Sequence, residues 1–399
     1  MKTTKLFSTL FLSVVLVTTL LPAQTFSDFL ARTNATPRDS VRQAIVDSFM
    51  TSQTPKGFPV KQDSIVYFVY RGTVSTSVSV AGDFNGWSGT ADTMARINGT
   101  NFYYLQKKFE PDARLDYKFV IDGSVWILDP LNPHAITGGY GTNSELAMPD
   151  YVQPTEIIYN PAIPHGATTT FSFYSATLNN SRTITVYLPP GYDNSAQKYP
   201  SLYVHDGPDY INLGSMKNVL DNLIAAKKID PVICIFVPPI SAGDRSNEYR
   251  LSKVGLFSTF IAKELVPHID SLYRTDASAA RRGTLGSSDG GHISLYLATH
   301  HPSVFGLCAG QSSTIDSNVR LPIQNGPKLP VKLYLDCGTY DISTPQFVFI
   351  TLNRRYWSLL RSKGYDLTSA EFHEGHSWGN WRAHLDDILT TLFPAMPRL

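Results

Sequence analysis

The sequence predicts two folded units in series: a small all-β sandwich, then a mostly parallel sheet with helices on both faces. Three observations carry this. Between about residues 60 and 150, apolar and polar residues alternate with a period of two, and Gly-containing turns punctuate the runs. Beyond residue 165, short β-rich runs alternate with helical patterns, the mark of a parallel sheet. Finally, Gly286-Ser287-Ser288-Asp289-Gly290 reads G-x-S-x-G where one such run ends. That pattern belongs to a serine held on a sharp strand-to-helix turn.

The elements follow in order. Residues 1–23 read as an export signal: Lys2 and Lys5 open it, an apolar run covers 6–21, and Ala23 suits cleavage. The segment 24–58 holds a short helix over 39–50, capped by Asp39 or Ser40, with Val41, Ala44, Ile45 and Phe49 on one face. Residues 59–150 form the sandwich, with strands at 64–71, 74–84, 102–109 and 114–121. A Pro-rich linker occupies 151–164, and 165–399 is the α/β unit. Its strands are expected at 184–188, 201–205, 232–237, 283–285, 305–309, 331–335 and 369–373. Helices are expected at 216–226, 251–272, 291–299, 347–362 and 381–392.

A net charge of +1 with 17% charged residues gives no electrostatic case for nucleic acid or an anionic membrane. Cys234, Cys308 and Cys337 lie in or beside apolar runs and read as buried free thiols. No Cys or His spacing resembles a metal site, and no cofactor is implied.

A serine nucleophile needs a base, an acid that orients the base, and donors for the oxyanion. The nucleophile candidate is Ser288. In the loop after residue 335, Asp341 is the preferred acid and Asp336 the alternative. His376 is the preferred base, since Gly375 lets its loop bend. His373 lies in the strand register, His384 sits within the last helix, and Glu374 reads as a solvated neighbour. The Asp289 N–H follows the nucleophile and is the first oxyanion donor, with its carboxylate pointing away. The second comes from Gly207 or Asp209, because Pro208 has no N–H, or else the hole is built differently. Tyr210, Tyr340 and Trp378 are the candidate substrate contacts.

With these residues in place, the C-terminal unit resembles the esterase D family of α/β-hydrolases. Arg182-Thr183-Ile184-Thr185-Val186-Tyr187-Leu188-Pro189-Pro190-Gly191-Tyr192-Asp193, Asp206-Gly207, Arg245 with Glu248-Tyr249, the elbow with Gly291, Cys337-Gly338-Thr339 and Gly375-His376 carry the likeness. Ala81-Gly82-Asp83-Phe84-Asn85-Gly86-Trp87 and Asp129-Pro130-Leu131-Asn132-Pro133 resemble an early-set, immunoglobulin-like domain of the glycogen-binding type. The latter, with Ser144-Glu145-Leu146-Ala147-Met148-Pro149, is also similar to the N-terminal domain of enterochelin esterases. Asp289 stands where the family often has an apolar residue, and Pro208 is a second departure.

The resemblance implies a secreted or periplasmic serine carboxylesterase working through an acyl-enzyme, without metal or cofactor. Its substrate would be a feruloyl or acetyl ester of plant cell-wall glycan, or alternatively a siderophore trilactone. Acyl transfer by the same residues, or an inactive glycan-binding protein, are the remaining alternatives. Trp87, Tyr103, Tyr104 and Trp126 form either a sugar-stacking platform or, preferably, part of the sandwich core or the interface.

Overall fold

In the computed structural model, residues 25–74 and 76–395 are described. The predicted export signal lies outside them. The N-terminal segment carries two helices where one was expected. Phe26–Asn34 starts at Thr25, whose hydroxyl accepts the Asp28 N–H at 3.1 Å while the Asp28 carboxylate accepts the Thr25 N–H at 3.1 Å. Asp39–Gln53 follows, but its buried face is rotated from the expected one. Val46 and Met50 are inside, and Val41 is exposed. The reason is that both helices lie on Tyr67, Val69 and Phe102 of the sheet beneath, which Phe26 and Phe29 also cover.

That sheet is antiparallel, in the order Val60–Gln62, Ile65–Arg71, Phe102–Lys108, Ala95–Arg96. A second layer pairs Arg114–Ile121 with Val78–Gly82, Val125–Ile127 and Gly141–Ala147, and the last of these with Ala135–Gly138. Val66, Phe68, Val80, Leu115, Tyr117, Phe119 and Leu146 are buried in one cluster between the layers. The expected strand 74–84 is shorter than predicted. After Gly82 the chain turns through Asp83–Asn85, where Asn85 accepts the Gly82 N–H at 3.0 Å and donates to Val80 O at 2.8 Å.

The C-terminal unit opens with an antiparallel hairpin, Ala167–Ser175 and Asn180–Leu188. The sheet continues in the order Ile233–Val237, Ser201–His205, Arg282–Ser287, Leu307–Gln311, Lys332–Tyr340, Asp366–Gly375, all parallel. Both faces are covered. Leu202 and Val204 join one buried cluster, while Tyr203 between them joins the other. The predicted helix 251–272 is three pieces, Val254–Thr259, a wider π-turn at Phe260–Leu265, and Val266–Leu272.

The two units are joined through their sheets as well as through the chain between them. Glu374 pairs in parallel register with Arg114, so the sheet of the α/β unit runs on into the second sandwich layer. Cys234, Cys308 and Cys337 are buried free thiols. Among the described residues no helix is long and apolar enough to cross a membrane.

Candidate active site

The strand Arg282–Ser287 ends at Ser288, whose φ of 58° and ψ of −122° are strained for a residue with a Cβ. Close packing around the turn requires its glycines. A Cβ on Gly286 would meet Gly290 O at 2.3 Å, and one on Gly291 would meet Ser313 Oγ at 2.4 Å. The Ser288 N–H donates to Gln311 O at 2.9 Å, and its carbonyl accepts from His292 and Thr314 N–H at 3.1 Å. Helix Asp289–His300 then carries the chain away.

Asp341 follows the strand Lys332–Tyr340, and His376 follows Asp366–Gly375. His376 Nδ1 lies 2.7 Å from Asp341 Oδ1; with the proton on Nδ1, the ring donates to the carboxylate. Asp341 is fully buried and also accepts the Ile342 N–H at 2.6 Å, while the imidazole stays 18% exposed. Phe349 and Trp381 pack edge-to-face on that ring at 5.2 and 5.0 Å. Trp381 Nε1 donates to Ser312 Oγ at 3.2 Å, and Ser312 adjoins the residue that receives the Ser288 N–H. Ser288, Asp341 and His376 thus sit at the same end of the parallel sheet.

The competing residues lie elsewhere. Asp336 is buried beneath the site, accepting from Gln311 Nε2 at 3.3 Å, and burial pushes its carboxyl up to about 7. His373 Nδ1 meets Asp112 of the sandwich at 2.6 Å. His384 Nε2 meets Glu374 Oε1 at 2.7 Å. Glu374 is buried, not solvated as expected, because the sandwich packs over it.

The Asp289 carboxylate points away from the elbow. It accepts from Ser246 Oγ at 2.8 Å, Thr314 Oγ1 at 2.8 Å and Arg250 Nε at 2.9 Å. Burial disfavours its charge, yet these bonds and the Arg250 and Arg245 charges hold its pKa below the usual carboxylate range. As the first residue of its helix, Asp289 keeps its N–H outside the helical ladder. Gly207 opens helix Gly207–Asn212 in the same way. Asp209 is corrected as a donor: its N–H closes the turn onto Asp206 O at 2.9 Å.

Sequence reasoning missed what fastens this loop. Asp206, at φ 55°, is gripped by Arg245, with Nε to Oδ1 at 2.8 Å and Nη2 to Oδ2 at 2.7 Å. The same Nη2 donates to Ser287 O at 3.1 Å, tying the Gly207 loop to the nucleophile strand. Arg245 stood in the sequence only as part of a family likeness, since its partners are 39 and 42 residues away.

Two of the three expected substrate contacts are also corrected, while the third, Tyr340, is only partly buried. Tyr210 is fully buried and donates to Gln311 Oε1 at 3.1 Å, and Trp378 packs edge-to-face on it at 5.0 Å inside the core. Tyr340 donates to Glu110 Oε2 of the sandwich at 2.6 Å. The four N-terminal aromatics form no shared platform. Tyr103 is buried, Tyr104 packs on Phe26, Trp87 donates to Asp83 at 3.0 Å, and only Trp126 is exposed, at 44%.

A family model described as Esterase matches residues 175–392. The Bacillus subtilis protein YjcH is 32% identical over 218 residues, 53% of this chain and 90% of its own. Among solved structures, enterochelin esterase from Shigella flexneri is 21% identical, with a TM-score of 0.67 over 83% of this chain and 93% of its own. Ferric enterobactin esterase from Salmonella typhimurium is 20% identical, with a TM-score of 0.70 over 87% and 98%. These two likenesses concern the fold. From the family match, this chain belongs to the esterase family and is a carboxylic ester hydrolase.

Proposed function

We propose an exported serine carboxylesterase. Ser288 Oγ attacks the ester carbonyl and its proton passes to His376 Nε2. Asp341 orients the ring and balances the imidazolium. The N–H groups of Asp289 and Gly207 donate to the developing oxyanion. His376 then gives its proton to the departing alcohol, and water, deprotonated in turn by His376, releases the acid from Ser288. The observation that carries this reading is the 2.7 Å His376–Asp341 pair at the sheet end where Ser288 sits on its strained turn. A fluorophosphonate probe should label the protein and the Ser287→Ala variant, but not Ser288→Ala. Labelling that persists in Ser288→Ala sinks the assignment.

The N-terminal unit reads as an early-set domain of the immunoglobulin-like kind, supported by its two packed sheets and the Asp83–Asn85 turn. For the substrate we favour a siderophore-type trilactone. The likeness to enterochelin esterases runs through both units, and one of those structures was solved in the presence of enterobactin. The second reading, a feruloyl or acetyl ester of cell-wall glycan, draws support from the exposed Val125, Trp126 and Leu128. Turnover of ferric enterobactin, methyl ferulate, acetylated xylan and p-nitrophenyl acetate by the mature protein separates the two. Activity on the glycan without activity on the trilactone would reverse the order.

A further inference from the structure

We propose that the N-terminal unit positions the catalytic imidazole: Asp83 and Arg114 clamp the chain on both sides of His376. The inference rests on the reading of His376 as the base. On one side, a Cβ at Gly375 would lie 2.1 Å from Asp83 Cγ, so this glycine and that carboxyl are in intimate contact. Asp83 cannot give way easily, because its oxygens accept Trp87 Nε1 at 3.0 Å and the Asp116 N–H at 2.8 Å. On the other side, Arg114 Nη1 donates to Ser377 Oγ at 3.3 Å, and a Cβ at Gly379 would lie 2.0 Å from Arg114 Cζ.

Arg114 is itself immobilised. It is buried, ion-paired with Asp116 at 2.7 Å and Glu145 at 3.2 Å, and Glu374 adds a third carboxylate. Against burial, these charges keep the guanidinium protonated. Within the α/β unit, Asn380 Nδ2 closes the loop onto Gly375 O at 2.8 Å. Other contacts from the sandwich fall on the ends of the two strands that lead to Asp341 and His376. Glu110 receives Tyr340, immediately before Asp341, and Asp112 meets His373. Only Nδ1 of His376 has a hydrogen bond among the described residues. Asp341, Phe349 and Trp381 fix the ring about its own bonds, and the backbone of 375–377, which the sandwich holds, sets where Nε2 is placed. Asp83 and Arg114 touch no reacting atom; they are positioning residues acting through that backbone.

The test uses full-length Ser377→Ala, Ser377→Thr and Arg114→Gln, with Ser288→Ala and His376→Ala as references. The readouts are kcat and KM on p-nitrophenyl acetate and the downfield proton resonance of His376 Nδ1–H, assigned by its loss in His376→Ala. Misplacement of a reacting group by about 1 Å costs up to about 10²-fold in rate. Arg114→Gln should approach that loss in kcat with KM within about twofold. Ser377→Ala should lose less, Ser377→Thr should restore it, and the resonance should shift or broaden in both impaired proteins.

Folded Ser377→Ala and Arg114→Gln proteins with unchanged kcat and resonance overturn the proposal. If Arg114→Gln does not fold, the Ser377 pair decides. Turnover retained by Ser288→Ala would instead fell the nucleophile assignment. The resonance would still read His376, so the two failures are distinguishable.

Discussion

At the residue scale, two aspartates five residues apart, Asp336 within the strand Lys332–Tyr340 and Asp341 just after it, have different environments. Asp341 is paired with His376, while Asp336 is buried under the sheet end with Gln311. Asp341→Asn should lower kcat on a small aryl ester by about 10⁴-fold, because the imidazole loses both its orientation and its counter-charge. Asp336→Asn should be much milder, since an amide oxygen can still accept from Gln311 Nε2. Steady-state kinetics of the two variants checks this. A larger loss at Asp336 would reassign the acid. Distance in sequence does not sort them, as only the turn after Tyr340 carries Asp341 to His376.

At the element scale, the helix starts at Asp289 and Gly207 supply the oxyanion donors in the proposed mechanism. The second depends on close packing. A Cβ at Gly207 would lie 2.5 Å from the Phe236 backbone of the neighbouring strand. Gly207→Ala must therefore push the loop, and its N–H, away from the site. Loss of one oxyanion donor costs about 10²–10³ in kcat, and that is the expected fall here. Unchanged kcat in a folded Gly207→Ala protein would remove Gly207 from the oxyanion site. Arg245 limits how far the loop can adjust, because it binds Asp206 and Ser287 O together.

At the scale of the whole molecule, stability should depend on pH with a definite sign. Burial raises the carboxyls of Asp83, Asp129 and Asp336, the last two to about 6 and about 7. A carboxyl whose folded pKa is raised is protonated in the fold and ionised in the unfolded chain. Its favourable contribution is complete below the unfolded value of about 3.9 and is lost as pH rises through the folded value. The denaturant midpoint should therefore fall between about pH 4 and pH 7 through these groups. Asp336→Asn should flatten the slope, as it no longer titrates. Urea unfolding at several pH values, for both proteins, measures this; identical slopes would contradict the assignment.

The sequence alone determined much of the local order: a period-two region before an alternating α/β region, the elbow glycines around Ser288, and the loops that carry Asp341 and His376. These were legible because each depends on neighbours within a few residues: alternation, turn chemistry, and the space a strand-to-helix turn leaves. What faces what was decided only by the tertiary structure. Tyr210 and Trp378 look like pocket residues beside catalytic loops, yet they pack on each other in the core. Val41 turns outward because the sheet beneath the helix selects Val46 and Met50. Glu374 is buried because the strand ending at Gly375 pairs with Arg114, some 260 residues earlier. Hydrogen bonds and burial across such distances depend on how the units dock. No local pattern of residues encodes that docking.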